Sequence, residues 1–258
     1  MGFKSSPGGY PDRKLNSLPA VSPGRMREIQ QAAQEKFGLE LLQMLENGGR
    51  AVSRIALGML GGKGHLQRVV ILAGGGNKGA TGLSAARHMT NWGLAVEVVL
   101  GEVESEMSFA AQRQVRILRA AGILGDEEAS SSELTLEEHL AGADLVVDAL
   151  IGYGLTGPPL GMAAAVTSLA GASGRPILAV DVPTGVNAAT GELSSPCIRA
   201  TTTMMLDLPK QGVILPQSRS ATGDLYLADL GIPRGAYETL GIQLNDLFHD
   251  GPIIRVRR

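Results

Sequence analysis

Arg68-Val-Val-Ile-Leu-Ala-Gly-Gly-Gly-Asn-Lys-Gly-Ala-Thr-Gly82 runs directly into Leu83-Ser-Ala-Ala-Arg-His-Met-Thr-Asn-Trp-Gly93. Val69 to Ala73 form an apolar run without alternation, the signature of a parallel strand covered on both faces. Gly74, Gly75, Gly76, Gly79 and Gly82 end it, and they predict a turn that uses positive φ and lets a ligand approach closely. The alanine-rich segment that follows has helical spacing up to Gly93. A strand, a glycine turn and a helix in that order direct backbone N–H groups and a helix dipole at one point, where an anionic phosphate fits. Gly74-x-Gly76-x-x-Gly79 also satisfies the dinucleotide pattern, with Glu102 near the place of a ribose-binding acid. No Gly-Lys-Ser/Thr follows, so the stretch is not a Walker A loop.

Outward from this unit the chain keeps alternating. A helical pair is predicted from Met26 to Leu60, broken at Gly38, ahead of the strand at 68–73. Ala95 to Leu100 is a second strand, Ser105 to Ala121 a helix, Ile123 to Ser132 a solvated loop and Leu134 to Ala141 a short helix. Leu145 to Ile151 is a third strand ending in the turn Gly152-Tyr-Gly-Leu-Thr-Gly-Pro-Pro159. The helix Met162 to Ala172 precedes the strand Pro176 to Val180 and the turn Asp181-Val-Pro-Thr-Gly185. Thr201–Leu206 and Asp224–Asp229 are further strands, and Gly235 to Gly241 a short helix or turn. This alternation predicts a single α/β domain with a largely parallel sheet and helices on both faces, its ligand beyond the carboxyl ends of the strands. Residues 1–24, rich in glycine, proline and serine, read as a flexible arm, 25–245 as the domain and 246–258 as a C-terminal tail.

Composition narrows the function. Of the 258 residues 44% are hydrophobic, enough for one large core, and a net charge of −2 with 3% aromatics argues against nucleic acid as a partner. The single cysteine, Cys197, excludes an internal disulfide and fits a reducing compartment. No run approaches the ~20 apolar residues of a membrane span, and the polar start lacks a signal peptide's apolar region, so a cytoplasmic protein without membrane contact is expected. His65, His88, His139 and His249 lack metal-ligand spacing, and no nucleophile–histidine pair or Gly-x-Ser-x-Gly elbow is present. Two acids stand out. Asp148 sits inside an apolar strand and Asp181 at the exit of another; burying either carboxylate is costly unless a cation or hydrogen bonds receive it.

Met44-Leu-Glu-Asn-Gly-Gly-Arg50, Gly74 to Gly82, Asp148-Ala-Leu-Ile-Gly-Tyr-Gly-Leu155, Val180-Asp-Val-Pro-Thr-Gly185, Leu208-Pro-Lys-Gln-Gly212 and Asp229-Leu-Gly-Ile-Pro233 occur in this order. Together they resemble the YjeF N-terminal domain family, the NAD(P)H-hydrate epimerases, over roughly residues 26–240. The resemblance implies a three-layer αβα Rossmann-like fold, often a homodimer. It implies interconversion of the R and S forms of hydrated NADH and NADPH (NAD(P)HX) at nicotinamide carbon 6, coupled to a separate dehydratase that completes the repair, and use of a potassium ion. Carried over by position, Asp148 and Thr184 match potassium ligands. Asp181 matches a substrate-contacting acid and is the expected catalytic acid–base group. Gly76, Asn77, Lys78, Gly79, Ala80 and Thr81 match one substrate-binding loop, and Gly152, Tyr153, Gly154, Leu155, Thr156, Gly157 and Pro158 a second. Lys78 stands where the family has a potassium-binding asparagine, and Ala80-Thr81 replace a Gly-Asp pair; two readings of Lys78 stand side by side, one in which its ammonium supplies the cation's charge to Asp148 and Thr184, the other in which it is a solvent-facing lysine of a glycine-rich loop. A second reading is a nucleotide-binding module that keeps the crevice but has lost catalysis. A third, an ordinary NAD-dependent dehydrogenase, explains neither the Asp148 nor the Asp181 motif.

Overall fold

The structure, a computed structural model, describes residues 9–62, 66–125, 135–155 and 157–258. Residues 1–8 of the expected arm, His65, residues 126–132 of the expected 123–132 loop, Leu134 at the start of the expected short helix and Thr156 lie outside the described residues. Ser22 opens α1 (Pro23–Phe37) by accepting the Arg25 N–H, with Pro23 in the first turn, and Gly38, at φ 70°, closes it. α2 (Leu41–Met59) starts with a reciprocal Glu40–Gln43 capping box. There follow β2 (Arg68–Ala73), α3 (Asn77–Asn91), β3 (Ala95–Leu100), α4 (Phe109–Ala120), α5 (Leu136–Ala141) and β4 (Leu145–Ala149). The second half comprises α6 (Gly161–Ala172), β5 (Ile177–Val180), β6 (Thr202–Leu206), α7 (Gln211–Ile214), α8 (Arg219–Thr222), β7 (Asp224–Ala228), α9 (Arg234–Glu238) and β8 (Ile253–Arg257). A short strand ahead of α1, β1 (Asp12–Lys14), completes the set.

The strands form one eight-stranded sheet in the order β1-β8-β7-β6-β5-β4-β2-β3. From β3 to β7 all pairings are parallel, whereas β8 runs antiparallel to β7 and β1 parallel to β8. Alternate residues of β2 enter different cores: Val69, Ile71 and Ala73 pack into the larger one with α1 to α4, and Val70 and Leu72 into the smaller one with α5 and α6. That two-sided burial is why the strand reads as an unbroken apolar run. The result is the expected three-layer αβα arrangement. Among the described residues no helix is long and apolar enough to cross a membrane.

Two departures from the sequence reading are instructive. The arm and the tail each contribute a strand: Asp12–Lys14 pairs with Arg255–Arg257, and Ile253–Val256 pairs with Leu225–Ala228. A three-residue polar strand has no signal of its own and exists through its pairing with β8. The glycine stretch also differs. None of Gly74, Gly75, Gly76, Gly79 or Gly82 has positive φ, and α3 begins at Asn77, inside the supposed turn. These glycines serve close approach. A Cβ on Gly79 would lie 1.7 Å from the Gly74 carbonyl, one on Gly82 2.4 Å from Ala149 Cβ, and one on Gly74 2.1 Å from the Leu150 carbonyl. In α2, a Cβ on Gly49 would meet Ser84 Oγ at 2.5 Å, so the Asn-Gly-Gly motif marks a tight crossing of α2 and α3.

Gly79→Ala should therefore destabilise the fold although alanine is the better helix former. The obstacle is backbone, and overpacking of this kind costs about 1–3 kcal/mol. Urea unfolding of the variant checks this; a midpoint equal to or above the parent's would contradict the close-packing account.

Candidate active site

The parallel strands put β2 beside β4 at the place where successive crossovers change direction, since β3 lies on one side of β2 and β4 to β7 on the other. Open α/β sheets bind ligands at such a switch point, beyond the carboxyl ends of the strands. A cavity of about 680 Å³ opens there. Its walls include Gly74, Gly75, Gly76, Asn77, Lys78 and Thr81 from the glycine stretch, Gly152, Tyr153 and Gly154 from the turn after β4, and Asp181 at the exit of β5. Arg27 and Gln30 of α1, Glu102 and Glu106 after β3, and Lys210 complete the polar lining, with Leu150, Leu160 and Met162 among the apolar groups. Gly76 caps α3 in extended backbone, so the first N–H groups of this 15-residue helix face the glycine loop at the cavity.

Below this wall lies a second, fully buried cluster. The Lys78 stem leaves the first turn of α3, packs against Gly152, and carries its ammonium beneath the sheet edge. Nζ lies 3.0 Å from Asp148 Oδ2, 3.1 Å from the Ile151 carbonyl, 2.7 Å from the Val182 carbonyl and 3.1 Å from Thr184 Oγ1. Asp148 is held from every side: Oδ2 also accepts the Thr184 N–H at 2.8 Å, and Oδ1 accepts the Thr184 hydroxyl at 2.6 Å and the Leu150 N–H at 3.2 Å. Burial pulls the Lys78 pKa downward, with the Asp148 charge and hydrogen bond opposing that pull.

Asp181 anchors the third group. It adopts φ 63°, a left-handed conformation uncommon outside glycine and frequent at functional sites, while its N–H continues the ladder to the Met204 carbonyl at 2.7 Å. Its Oδ1 accepts the Lys210 ammonium at 2.6 Å and the Leu206 N–H at 3.0 Å. Lys210, 1% exposed, also donates to the Leu206 carbonyl at 2.6 Å and stands 5.4 Å from the centre of the Tyr153 ring, a cation–π geometry. Tyr153 donates its hydroxyl to Gln30 Oε1 at 2.7 Å, and burial together with the Asp181 charge pushes its pKa up to about 12. Asp207 repeats the left-handed strand exit one strand over, at φ 69°, and accepts the Tyr237 hydroxyl. Its other oxygen, Oδ2, is buried without a partner, and burial pushes this carboxyl up to about 7 despite the opposing pull of Tyr237 and Lys210.

The residues singled out in the sequence thus divide. Gly76, Asn77, Lys78, Thr81, Gly152, Tyr153, Gly154 and Asp181 share the cavity wall. Asp148 and Thr184, both fully buried, meet Lys78 beneath that wall rather than in it. Gly79 and Ala80 face packed interior within α3; Gly157 borders a different, shallow depression with Ser194, and Leu155 and Pro158 do not line the cavity. Lys210, Arg27, Gln30 and Glu106 were not foreseen. Lys210 lay inside a motif already quoted, but its partner Asp181 is 29 positions away, so the pairing was invisible before folding. Among the described residues no three of His, Cys, Asp or Glu gather as metal ligands.

Residues 41–212 match the family described as YjeF-related protein N-terminus. The chain belongs to the YjeF N-terminal family. It is 41% identical over 218 residues to a protein of Dehalogenimonas lykanthroporepellens named NAD(P)H-hydrate epimerase, covering 84% of each chain. A Rhodopirellula baltica protein of the same name is 33% identical, over 84% of this chain and 86% of that one. A Moorella thermoacetica protein named bifunctional NAD(P)H-hydrate repair enzyme Nnr is also 33% identical, but this chain spans only 41% of its length. The crystal structure of yeast ynu0 matches with a TM-score of 0.74 at 24% identity, over 92% of this chain and all of that one, a likeness of fold.

The raised Asp207 carboxyl carries a sign that can be checked. Between about pH 4, where the unfolded chain releases this proton, and about pH 7 the folded state still holds it. The associated stability is complete below that window and is lost as pH rises through it, each pH unit weighing about 1.4 kcal/mol. Asp207→Asn should remove this slope, so that its thermal midpoint rises relative to the parent's between about pH 5 and about pH 8. Parallel pH profiles of the two proteins would contradict the assignment.

Proposed function

We propose that this protein is an isomerase that interconverts the R and S forms of hydrated NADH and NADPH at nicotinamide carbon 6, a step of metabolite repair. The observation that carries the reading is Asp181, fixed by Lys210 in the wall of a cavity that also receives the N-terminus of α3. The names of the relatives supply the substrate class. The substrate's phosphates, being anionic, suit the first-turn N–H groups of α3, and in this reading the hydrated ring lies toward Asp181 and Tyr153.

The chemistry needs one proton moved at one oxygen. Protonation of the carbon 6 hydroxyl lets the C–O bond break and water leave, while the ring nitrogen lone pair forms the C=N bond of a cationic iminium. Water then adds to the opposite face and returns its proton. Asp181 is the acid–base group in this reading. Lys210 and the Leu206 N–H both occupy Oδ1, which leaves Oδ2 for the substrate. Lys210 acts as a positioning residue, and the carboxylate left after proton transfer stabilises the cationic iminium. Tyr153, neutral at physiological pH with its pKa at about 12, offers a ring face rather than a charge.

The potassium ion implied by the family resemblance does not fit this chain's donor set, because Asp148 and Thr184 are both engaged by the Lys78 ammonium. No step is therefore assigned to it. The epimerised product serves a dehydratase; the fused length of the bifunctional relative supports such coupling.

Purified protein incubated with separated R and S hydrates, followed by chromatography, should bring either form to the equilibrium ratio faster than the spontaneous rate. Asp181→Asn should slow that approach by roughly 10² or more while the fold, followed by circular dichroism, persists. Unchanged turnover in the variant would remove Asp181 from the mechanism, and an inactive parent that still binds the dinucleotide would return the protein to a binding module.

A further inference from the structure

We infer that the Lys78 ammonium is a permanent, built-in replacement for an exchangeable monovalent cation, so that this protein's nucleotide site is assembled without any bound alkali metal ion. The inference rests on the proposed reading only for where the site lies.

Four oxygens converge on one point from two different turns: a carboxylate and a carbonyl from the end of β4 and the turn after it, and a carbonyl and a hydroxyl from the turn after β5. Their distances to Nζ run from 2.7 to 3.1 Å. An ammonium has three hydrogens to give, so these four acceptors outnumber its donors, and the arrangement surrounds the charge rather than lining up discrete hydrogen bonds. Hard oxygen ligands, including neutral carbonyls, are the donors that alkali and alkaline-earth cations take. The cage is thus built for a cation of charge +1, and the chain supplies one covalently.

Charge balance excludes a second. Asp148, 0% exposed, is the only carboxylate in contact with Nζ among the described residues, and Lys78 neutralises it. An alkali ion entering the cage would place two cations within a few ångströms of one buried carboxylate, where mutual repulsion is strong and water screening weak. The steric argument agrees. The Lys78 stem occupies the approach beside Gly152, where a Cβ on that glycine would lie 3.3 Å from Lys78 Cβ and 3.6 Å from Cδ. Ion and lysine stem would compete for the same passage.

What an ion would gain by binding and lose by dilution, Lys78 holds permanently. It ties the first turn of α3 to the turns after β4 and β5, and those three segments carry the cavity wall. Cation dependence, where a mobile ion holds such a site, becomes independence here. A lysine cannot dissociate, so the effective concentration of this cation does not fall with the salt content of the surroundings.

The test reads stability, without substrate or turnover. Thermal unfolding of the full chain is measured in potassium chloride, sodium chloride and tetramethylammonium chloride at equal ionic strength. The parent should melt within about 1 °C in all three, whereas Lys78→Ala should melt lower by at least about 5 °C in tetramethylammonium and recover with added potassium along a saturable curve. Saturable stabilisation of the parent by potassium over tetramethylammonium would overturn the inference. So would a Lys78→Ala protein as stable as the parent in tetramethylammonium, since Asp148 would then need no cation. Either result leaves the epimerase proposal standing, and an inactive parent leaves this one standing.

Discussion

One buried ion pair holds the site together. Lys78 and Asp148 lie on different elements 70 positions apart, and among the described residues Asp148 is the only carboxylate in direct contact with the ammonium. Removing either partner would strand the other in the protein interior, which typically costs 3–5 kcal/mol, whereas the intact pair adds far less to net stability. Its value is positional. With Thr184 bridging through its N–H and hydroxyl, the pair fixes where α3 begins relative to the ends of β4 and β5. The N-terminal end of α3 and the acidic exit of β5 thereby open into one cavity.

The glycines make that placement physically possible. A side chain on Gly79 or Gly74 would collide with backbone across the switch point, and one on Gly82 with β4, so α3 could not approach the sheet closely enough for Lys78 to reach Asp148. Close packing, rather than unusual backbone dihedrals, is what the glycine-rich sequence encodes here. The unusual dihedrals fall instead on Asp181 and Asp207, two carboxylates at adjacent strand exits with Lys210 beside them. Left-handed backbone at a non-glycine residue costs about 1–3 kcal/mol, and the ladder bonds from both N–H groups offset it.

Much of this was legible beforehand, for identifiable reasons. The strand Arg68–Ala73 was readable to the residue because burial on both faces leaves an uninterrupted apolar run, whereas Ala95–Leu100, a half-exposed edge strand, was readable from its valines despite Glu97. Asp148, inside such a run, and Asp181, at the exit of another, were conspicuous because a carboxylate so placed demands a partner. The start of α3 was misplaced because glycine is ambiguous between a turn former and a packing residue, and only the neighbouring backbone decides which. β1 and β8 escaped notice because their stability is wholly non-local. Lys210 escaped for the same reason: a lysine followed by Gln-Gly looks like a solvated turn until β5 and β6 bring Asp181 alongside. The burial of Asp148 and Thr184 below the cavity, instead of in its wall, follows from the length of the lysine stem that reaches them.

The central claim, that a side chain of this protein occupies the place of an exchangeable ion, is open to direct observation. Crystals grown in rubidium chloride, with diffraction recorded at the rubidium absorption edge, locate bound monovalent cations without reference to activity. The account predicts no anomalous peak among Asp148, Ile151, Val182 and Thr184, and continuous density from the Lys78 stem to an ammonium between them. A rubidium peak at that point, with Lys78 turned away from Asp148, would contradict it.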